Sequence, residues 1–156
     1  MKRTPVPILL TLLLLGDRPA RGQSPPARAT DIELRGLRPL GPAGGVLCVG
    51  TLNAVRAELV LHGPPPPGPV LLRLVVRLPG ADPIGTLAAE GSVAFLAGAT
   101  TATFTFLNVE VPARLEGRGA LLEVRANLDQ AMGERDPRNN VRALPLDRTV
   151  DWRCRR

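Results

Sequence analysis

The sequence has no tyrosine, a single lysine and a single histidine, and aromatic residues make up 3% of the chain. A nucleic-acid-binding surface usually combines a basic stripe with interleaved aromatic side chains. Here aromatics are too few, and the arginines alternate with Glu and Asp along strand-like segments. We therefore expect no nucleic-acid partner and interpret the charged positions as a solvent-exposed face.

The isoelectric point of 11.1 does not change this interpretation. Residues 1–22 hold four of the 20 Lys and Arg and one of the 14 Asp and Glu; the remainder has 16 and 13, a net charge of +3. Because the chain has almost no lysine or tyrosine, few groups titrate between pH 7 and the pKa of arginine. A small excess of arginine therefore gives a high isoelectric point. The preference for arginine over lysine, with abundant Ala, Gly, Pro and Leu, is typical of a GC-rich bacterial genome.

The scarcity of histidine, serine and cysteine leaves few residues for a catalytic site. His62 lies beside a proline run, and Ser92 has no nucleophile-elbow sequence around it. Cys48 lies in an apolar segment, which disfavours the reactive thiolate. One His and two distant Cys do not make a standard zinc site, and no Gly-rich phosphate loop opens a helix. The sequence therefore predicts a protein that is not an enzyme.

Residues 1–22 have the features of an export signal. Two basic residues precede the apolar run Ile8–Leu15, and Ala20 and Gly22 are small residues at the positions that signal peptidase reads. We expect cleavage before Gln23 and a protein that is secreted, periplasmic or at the cell surface. An uncleaved anchor is the alternative, although the run is shorter than the roughly 20 residues that span a bilayer. No later run is long enough, so we expect no transmembrane segment in the mature chain.

The two cysteines, Cys48 and Cys154, are far apart in the sequence. In an exported protein of this size, an even number of cysteines favours a disulfide bond. The bond would join the C-terminal tail to an early strand. The alternative is that Cys48 is a buried thiol and Cys154 is free or forms an intermolecular bond.

Short segments with period-2 alternation recur between Gly and Pro, and none has a sustained helical period. This pattern is typical of an all-β sandwich, here of about seven strands. The candidate strands lie within Asp31–Leu37, Val46–Val49, Arg56–Leu61, Val70–Leu78, Ile84–Leu96, Ala102–Val111, Gly119–Leu128 and Val141–Leu146. The predicted core is Ile32, Leu34, Leu59, Leu61, Leu72, Leu74, Val76, Phe104, Phe106, Leu122, Val124 and Leu128.

The segment Gly119–Leu146 contains the most specific pattern. A strand ends at Asp129, the following turn is acidic, and Asn139 and Asn140 precede the next strand. This pattern resembles the C-terminal hairpin of the CARDB family, the cell-adhesion-related domain found in bacteria and archaea. The opening Asp31–Leu34 is similar to the family's first strand, whereas the middle strand lacks the family's Val-x-Asn-x-Gly pattern.

The resemblance implies an immunoglobulin-like antiparallel β-sandwich over residues 31–147. A lead-in segment, residues 23–30, would precede the sandwich, and a basic tail, residues 148–156, would follow it. The role that the resemblance implies is interaction or cell adhesion through a protein or glycan partner, rather than catalysis.

The acidic turn is also a candidate metal site. Asp129, Glu134, Asp136 and Asn139 offer carboxylate and amide oxygens, which are the ligands that calcium prefers. Their spacing does not match the EF-hand loop, and such side chains also stabilise turns by bonding to neighbouring backbone groups. Two interpretations therefore stay open: a structural turn with no cofactor, and a calcium site. The second would support calcium-dependent carbohydrate binding or a secreted hydrolase.

Overall fold

A computed structural model describes residues 29–42, 44–81, 85–126 and 136–154. The strands in these ranges are β1 (Asp31–Leu40), β2 (Leu47–Cys48), β3 (Leu52–His62), β4 (Val70–Arg77), β5 (Thr86–Val93), β6 (Thr101–Glu110), β7 (Leu121–Ala126), β8 (Val141–Pro145) and β9 (Val150–Asp151). The first 3-10 helix is Ala113–Leu115, the second is Pro137–Asn140, and the α-helix α1 is Leu146–Thr149. The predicted signal segment and residues 23–28 lie outside the described ranges.

Among the described strands, the seven longer ones form two antiparallel sheets that share one core. The first sheet has the order β1-β3-β6 and the second has the order β5-β4-β7-β8. β2 and β9 add a short parallel pair. The chain crosses repeatedly between the sheets, as in immunoglobulin-like sandwiches. The predicted fold class, an immunoglobulin-like antiparallel sandwich of about seven strands, is confirmed.

Alternation along the strands produces the core. In β3, Val55, Ala57 and Leu59 are buried, whereas Arg56 and Glu58 between them are exposed. Burial of a Val or Leu side chain stabilises the fold by about 1.5–3 kcal/mol relative to exposure. Since aromatics are few, the core depends on many such aliphatic contacts between the two sheets.

Nine of the twelve predicted core residues are buried. Val76 and Phe104 are partly buried and pack against the core, and Leu128 lies outside the described residues. The predicted core lacks a group of buried residues around the β2/β9 pair, the end of β6, the first 3-10 helix and α1. They are Leu47, Val49, Val109, Val111, Leu115, Leu146 and Val150.

The predicted disulfide between Cys48 and Cys154 is present and joins residues 106 positions apart. The side chain of Asn53, which is buried, fixes the turn that contains Cys48. Its Oδ1 accepts a hydrogen bond from the Cys48 N–H at 2.7 Å. Its Nδ2 donates to the carbonyls of Cys48, Thr51 and Val109. The C-terminal segment is thus attached to the sandwich, and the proposed domain boundary at residue 147 stays a prediction.

The two lateral sides of the sandwich differ. On one side β1 lies beside β8, and on the other β5 lies beside β6. The β1/β8 side is bridged by Arg142, whose Nε donates to the carbonyl of Leu34 at 2.6 Å. No helix in the described ranges has the length and apolar character needed to cross a membrane.

Candidate functional site

The predicted calcium ligands are partly described. Asp129 and Glu134 lie outside the described residues. Asp136 is the N-cap of the second 3-10 helix, and its carboxylate accepts hydrogen bonds from the Nε and the backbone N–H of Arg138, at 3.0 and 3.1 Å. These bonds, the side-chain one first, hold the pKa of the Asp136 carboxyl below its ordinary value. Asp136 therefore stabilises its own turn.

Asn139 and Asp136 meet a third polar residue, Asp31, which opens β1. Asp31 is 8% exposed. Its carboxylate accepts hydrogen bonds from the Asn139 side chain at 3.2 and 3.4 Å and from the Asp136 N–H at 3.3 Å. The sequence carried one signal for this contact, because an aspartate opens the first strand in the resemblance to CARDB domains.

The contacts around Asp31 give this group a structural role. Within the described ranges, no three His, Cys, Asp or Glu side chains form a group that could hold a metal ion. The Asp31 carboxylate already receives amide donors from the second 3-10 helix and its N-cap. The described residues alone do not make a calcium site, and calcium stays a prediction that depends on Asp129 and Glu134.

The residues considered for nucleophilic chemistry are occupied elsewhere or exposed. Cys48 is oxidised in the disulfide. The Nε2 of His62 lies 2.9 Å from the Oε2 of Glu33, and this hydrogen bond lowers the pKa of Glu33. His62 and Glu33 belong to the first sheet, whereas Ser92 is an exposed residue of β5 in the second. The geometry does not assemble a Ser-His pair within one sheet.

The β5/β6 side presents a groove between two sheet edges. Phe104 of β6 packs onto Gly91 of β5, where a Cβ would lie 2.2 Å from the ring. Beyond this contact, towards the start of β5 and the end of β6, a groove of about 340 Å³ lies between the strands. We name it the seam groove. Its lining includes Thr86–Ala88, Asn108, Glu110, Pro112, Arg114 and Leu115.

The two strands beside the seam groove are poor in charge. Glu90 is the only charged residue of β5, and Glu110 is the only one of β6. Leu87 and Leu107, one on each strand, expose 56% and 66% of their surface. Edge strands are usually protected by lysine, proline or inward-pointing charges. β5 and β6 contain neither lysine nor proline, but each has a register shift at the groove.

A bulge in β6 lies next to the groove. Between the pairs Asn53–Val109 and Val55–Phe106, two residues of β6 stand opposite one residue of β3. One of them, Asn108, has φ 57°, the only positive φ of a non-glycine residue in the described chain. Bulges interrupt a ladder and redirect side chains, and they are frequent near functional sites.

Two charged side chains line the groove. Glu110 and Arg114 take part in none of the ion pairs found in the described part of the chain. The outer face of the second sheet differs, because Glu90 pairs with Arg73 there and Glu123 pairs with two arginines. The groove thus offers one carboxylate and one guanidinium to a ligand.

Comparison with solved structures finds the same fold. The crystal structure of a CARDB domain from a Pyrococcus furiosus protein, in complex with di-metal ions, is similar to this chain. The TM-score is 0.56 and the identity 16%, with 80% of this chain and 90% of that chain covered. The predicted resemblance is confirmed as a resemblance of fold: this chain has the fold of a CARDB domain. Neither a family model nor a curated protein matches the sequence.

Proposed function

We propose that this protein is an exported, non-catalytic interaction module that binds a protein partner through its open β5/β6 side. The observation that carries the proposal is the seam groove, with Leu87 and Leu107 exposed on the strands beside it. Exposed apolar side chains that gather at a groove mark interaction sites more often than single exposed leucines do. The cell-adhesion role implied by the resemblance agrees with such a module.

A protein partner is favoured over a glycan because Phe106 is buried and the other three aromatic side chains are partly buried against the core. Phe104 and Phe106 form an edge-to-face pair with ring centroids 4.9 Å apart. Phe95 and Trp152, the other two aromatic residues of the chain, pack against the core. An exposed aromatic face would be needed to stack on a sugar ring. The leucines of the β5/β6 side suit an apolar protein surface better.

The disulfide supports an extracytoplasmic location. Structural disulfides persist in the periplasm, at the cell surface and in the medium, and are rare in the cytoplasm. The Cys48–Cys154 bond and the export signal predicted in residues 1–22 both favour that location. We infer that the module meets its partner in one of these compartments.

Calcium-dependent binding through the acidic turn is the alternative. The reason to test it is that the similar Pyrococcus furiosus domain was crystallised with di-metal ions. Calcium at 100 times its dissociation constant would stabilise the fold by about 2.7 kcal/mol. A melting temperature that rises with calcium, falls with chelator and no longer responds in Asp129→Ala or Asp136→Ala would support this alternative. An unchanged melt would assign the turn a structural role.

In-cell photo-cross-linking tests the proposed function. A photoreactive amino acid replaces Leu87, which lines the groove, or Leu107, which precedes the lining residue Asn108. The matched control is Leu96, which is 78% exposed and lies on neither β5 nor β6. Positions 87 and 107 should capture the same envelope protein, and position 96 should not. No adduct from positions 87 and 107, or the same adducts from all three positions, would contradict the proposal.

A further inference from the structure

We propose that the partner contributes an extended peptide, which adds as a strand to the free edge of β5 and inserts alternate side chains into the seam groove. This inference rests on the proposed function and names the segment that the site takes. A carboxylate of the peptide pairs with Arg114.

The free edge of β5 is suited to strand addition. Within its sheet β5 pairs with β4 alone, so the other edge keeps a row of unpaired backbone N–H and C=O groups. Thr86–Val93 contains no lysine or proline, and its single charge, Glu90, is paired with Arg73. Such an edge is a template for an added strand, whose main-chain hydrogen bonds supply much of the affinity.

Both strands are irregular at the groove, and β5 is the better edge because it contributes three consecutive residues to the lining, whereas β6 contributes Asn108 and Glu110. Leu107 and the left-handed Asn108 interrupt the regular ladder of β6 at the groove. The pairing of β5 with β4 also shifts here, because Leu74 pairs with Ala89 and Val75 with Leu87, which leaves Ala88 without a partner in β4. Thr86, Leu87 and Ala88 are nevertheless consecutive exposed residues that line the groove. The rest of β5, from Ala89 to Val93, pairs with β4 in regular register. The added strand therefore pairs with this regular part and reaches the groove at its Thr86 end.

Strand alternation explains how a peptide paired with β5 fills the groove. Successive side chains of a strand point to opposite faces of its sheet. In a peptide paired with β5, every second side chain therefore points into the space between β5 and β6, and the others point to solvent. An α-helix is a poorer occupant, because its satisfied backbone would leave the N–H and C=O groups of the β5 edge unpaired.

Charge complementarity defines the peptide further. Arg114 is exposed on the first 3-10 helix, lines the groove and has no ion-pair partner in the described chain. A guanidinium binds a carboxylate through two parallel hydrogen bonds, which adds geometric specificity. The preferred peptide therefore alternates apolar residues and carries an Asp or Glu that meets Arg114, placed away from the carboxylate of Glu110, which lines the same groove.

Selection from a library tests the inference. Phage-displayed random linear peptides of about ten residues, the length of a long strand, are panned on the oxidised protein. Enriched peptides should alternate apolar residues and include one acidic residue. Amide hydrogen exchange of the complex should show slower exchange in Thr86–Val93.

Variants locate the binding site. Leu87→Glu and Arg114→Glu should each weaken binding of the selected synthetic peptide by about tenfold or more, which equals about 1.4 kcal/mol. Leu96→Glu, the matched control outside the groove lining, should leave the affinity unchanged. Replacement of the acidic residue of the peptide by lysine should restore binding to Arg114→Glu and weaken binding to the unmodified protein.

Several results would overturn the inference: no enriched peptide, peptides whose binding survives Leu87→Glu, or binding without slower exchange in β5. The failure of strand addition is distinguishable from the failure of the proposed function. If positions 87 and 107 capture one partner but amide exchange in β5 is not slower in the peptide complex, the proposed function is supported and strand addition is refuted. If selected peptides slow amide exchange in β5 but no partner is captured, strand addition is supported and the proposed function is refuted.

Discussion

The side-chain amide of Asn139 donates hydrogen bonds to both carboxylate oxygens of Asp31, and so joins two residues 108 positions apart. Asp31 opens β1, and Asn139 lies in the 3-10 helix that precedes β8. The contact therefore ties the two edge strands of one side of the sandwich together. The opposite side, between β5 and β6, carries the seam groove.

Asn139→Ala should lower the free energy of unfolding by about 1–3 kcal/mol, because the buried Asp31 carboxylate loses a donor. Urea denaturation measures the change. In the Asp31→Ala background the same substitution should cost much less, since the acceptor is already gone. An equal cost in both backgrounds would show that the contact between the two side chains does not stabilise the fold.

Loss of the Cys48–Cys154 disulfide should lower stability by up to about 4–5 kcal/mol in the chain-entropy model, because the bond joins residues 106 positions apart. Urea denaturation with and without reductant measures the loss. The double variant Cys48→Ser, Cys154→Ser should match the reduced protein and should not respond to reductant. Equal stability of the oxidised and reduced protein would contradict the prediction.

Gly91→Ala should destabilise the fold by about 1–3 kcal/mol, because a Cβ at this position would lie 2.2 Å from the Phe104 ring and force it to move. Gly68→Ala is the matched control, since nothing lies within 4 Å of a Cβ there. Thermal melts of the two variants give the comparison. Equal melting temperatures would mean that the contact between β5 and β6 is loose.

The contribution of Glu33 to stability should depend on pH. The hydrogen bond from His62 lowers the pKa of Glu33 from its ordinary value of 4.5. Since the folded pKa is below the unfolded one, the contribution is fully present above pH 4.5 and is lost as the pH falls through the folded value. In an NMR titration the pKa of Glu33 should rise in His62→Ala. An unchanged value would show that His62 is not the cause.

The sequence was sufficient to predict which face of each long strand is buried. In β3 and β4, apolar residues alternate with Arg and Glu, so Leu59 and Leu72 could be assigned to the core. It was insufficient where a short segment is buried by a distant one. Val150 is buried where β9 pairs with β2, and Asn53 is buried where its side chain bonds both to the turn that contains Cys48 and Thr51 and to Val109 of β6. Neither residue carries a local pattern of burial.

The candidate site shows the same limit. The 3-10 helix that covers Asp31 follows it in the sequence by about 100 residues, so only the fold reveals the contact. Leu87 and Leu107 belong to no motif. Their exposure beside a common groove follows from the strand order, which makes β5 and β6 neighbouring edges.

The binding side is tested most directly by the affinity of the partner captured by cross-linking for the unmodified protein, Leu87→Glu and Leu96→Glu. Both leucines are exposed, at 56% and 78%, but only Leu87 lines the seam groove. We predict that Leu87→Glu weakens binding by about tenfold or more and that Leu96→Glu binds as the unmodified protein does. Equal affinities for all three proteins, or an equal loss in both variants, would contradict this prediction.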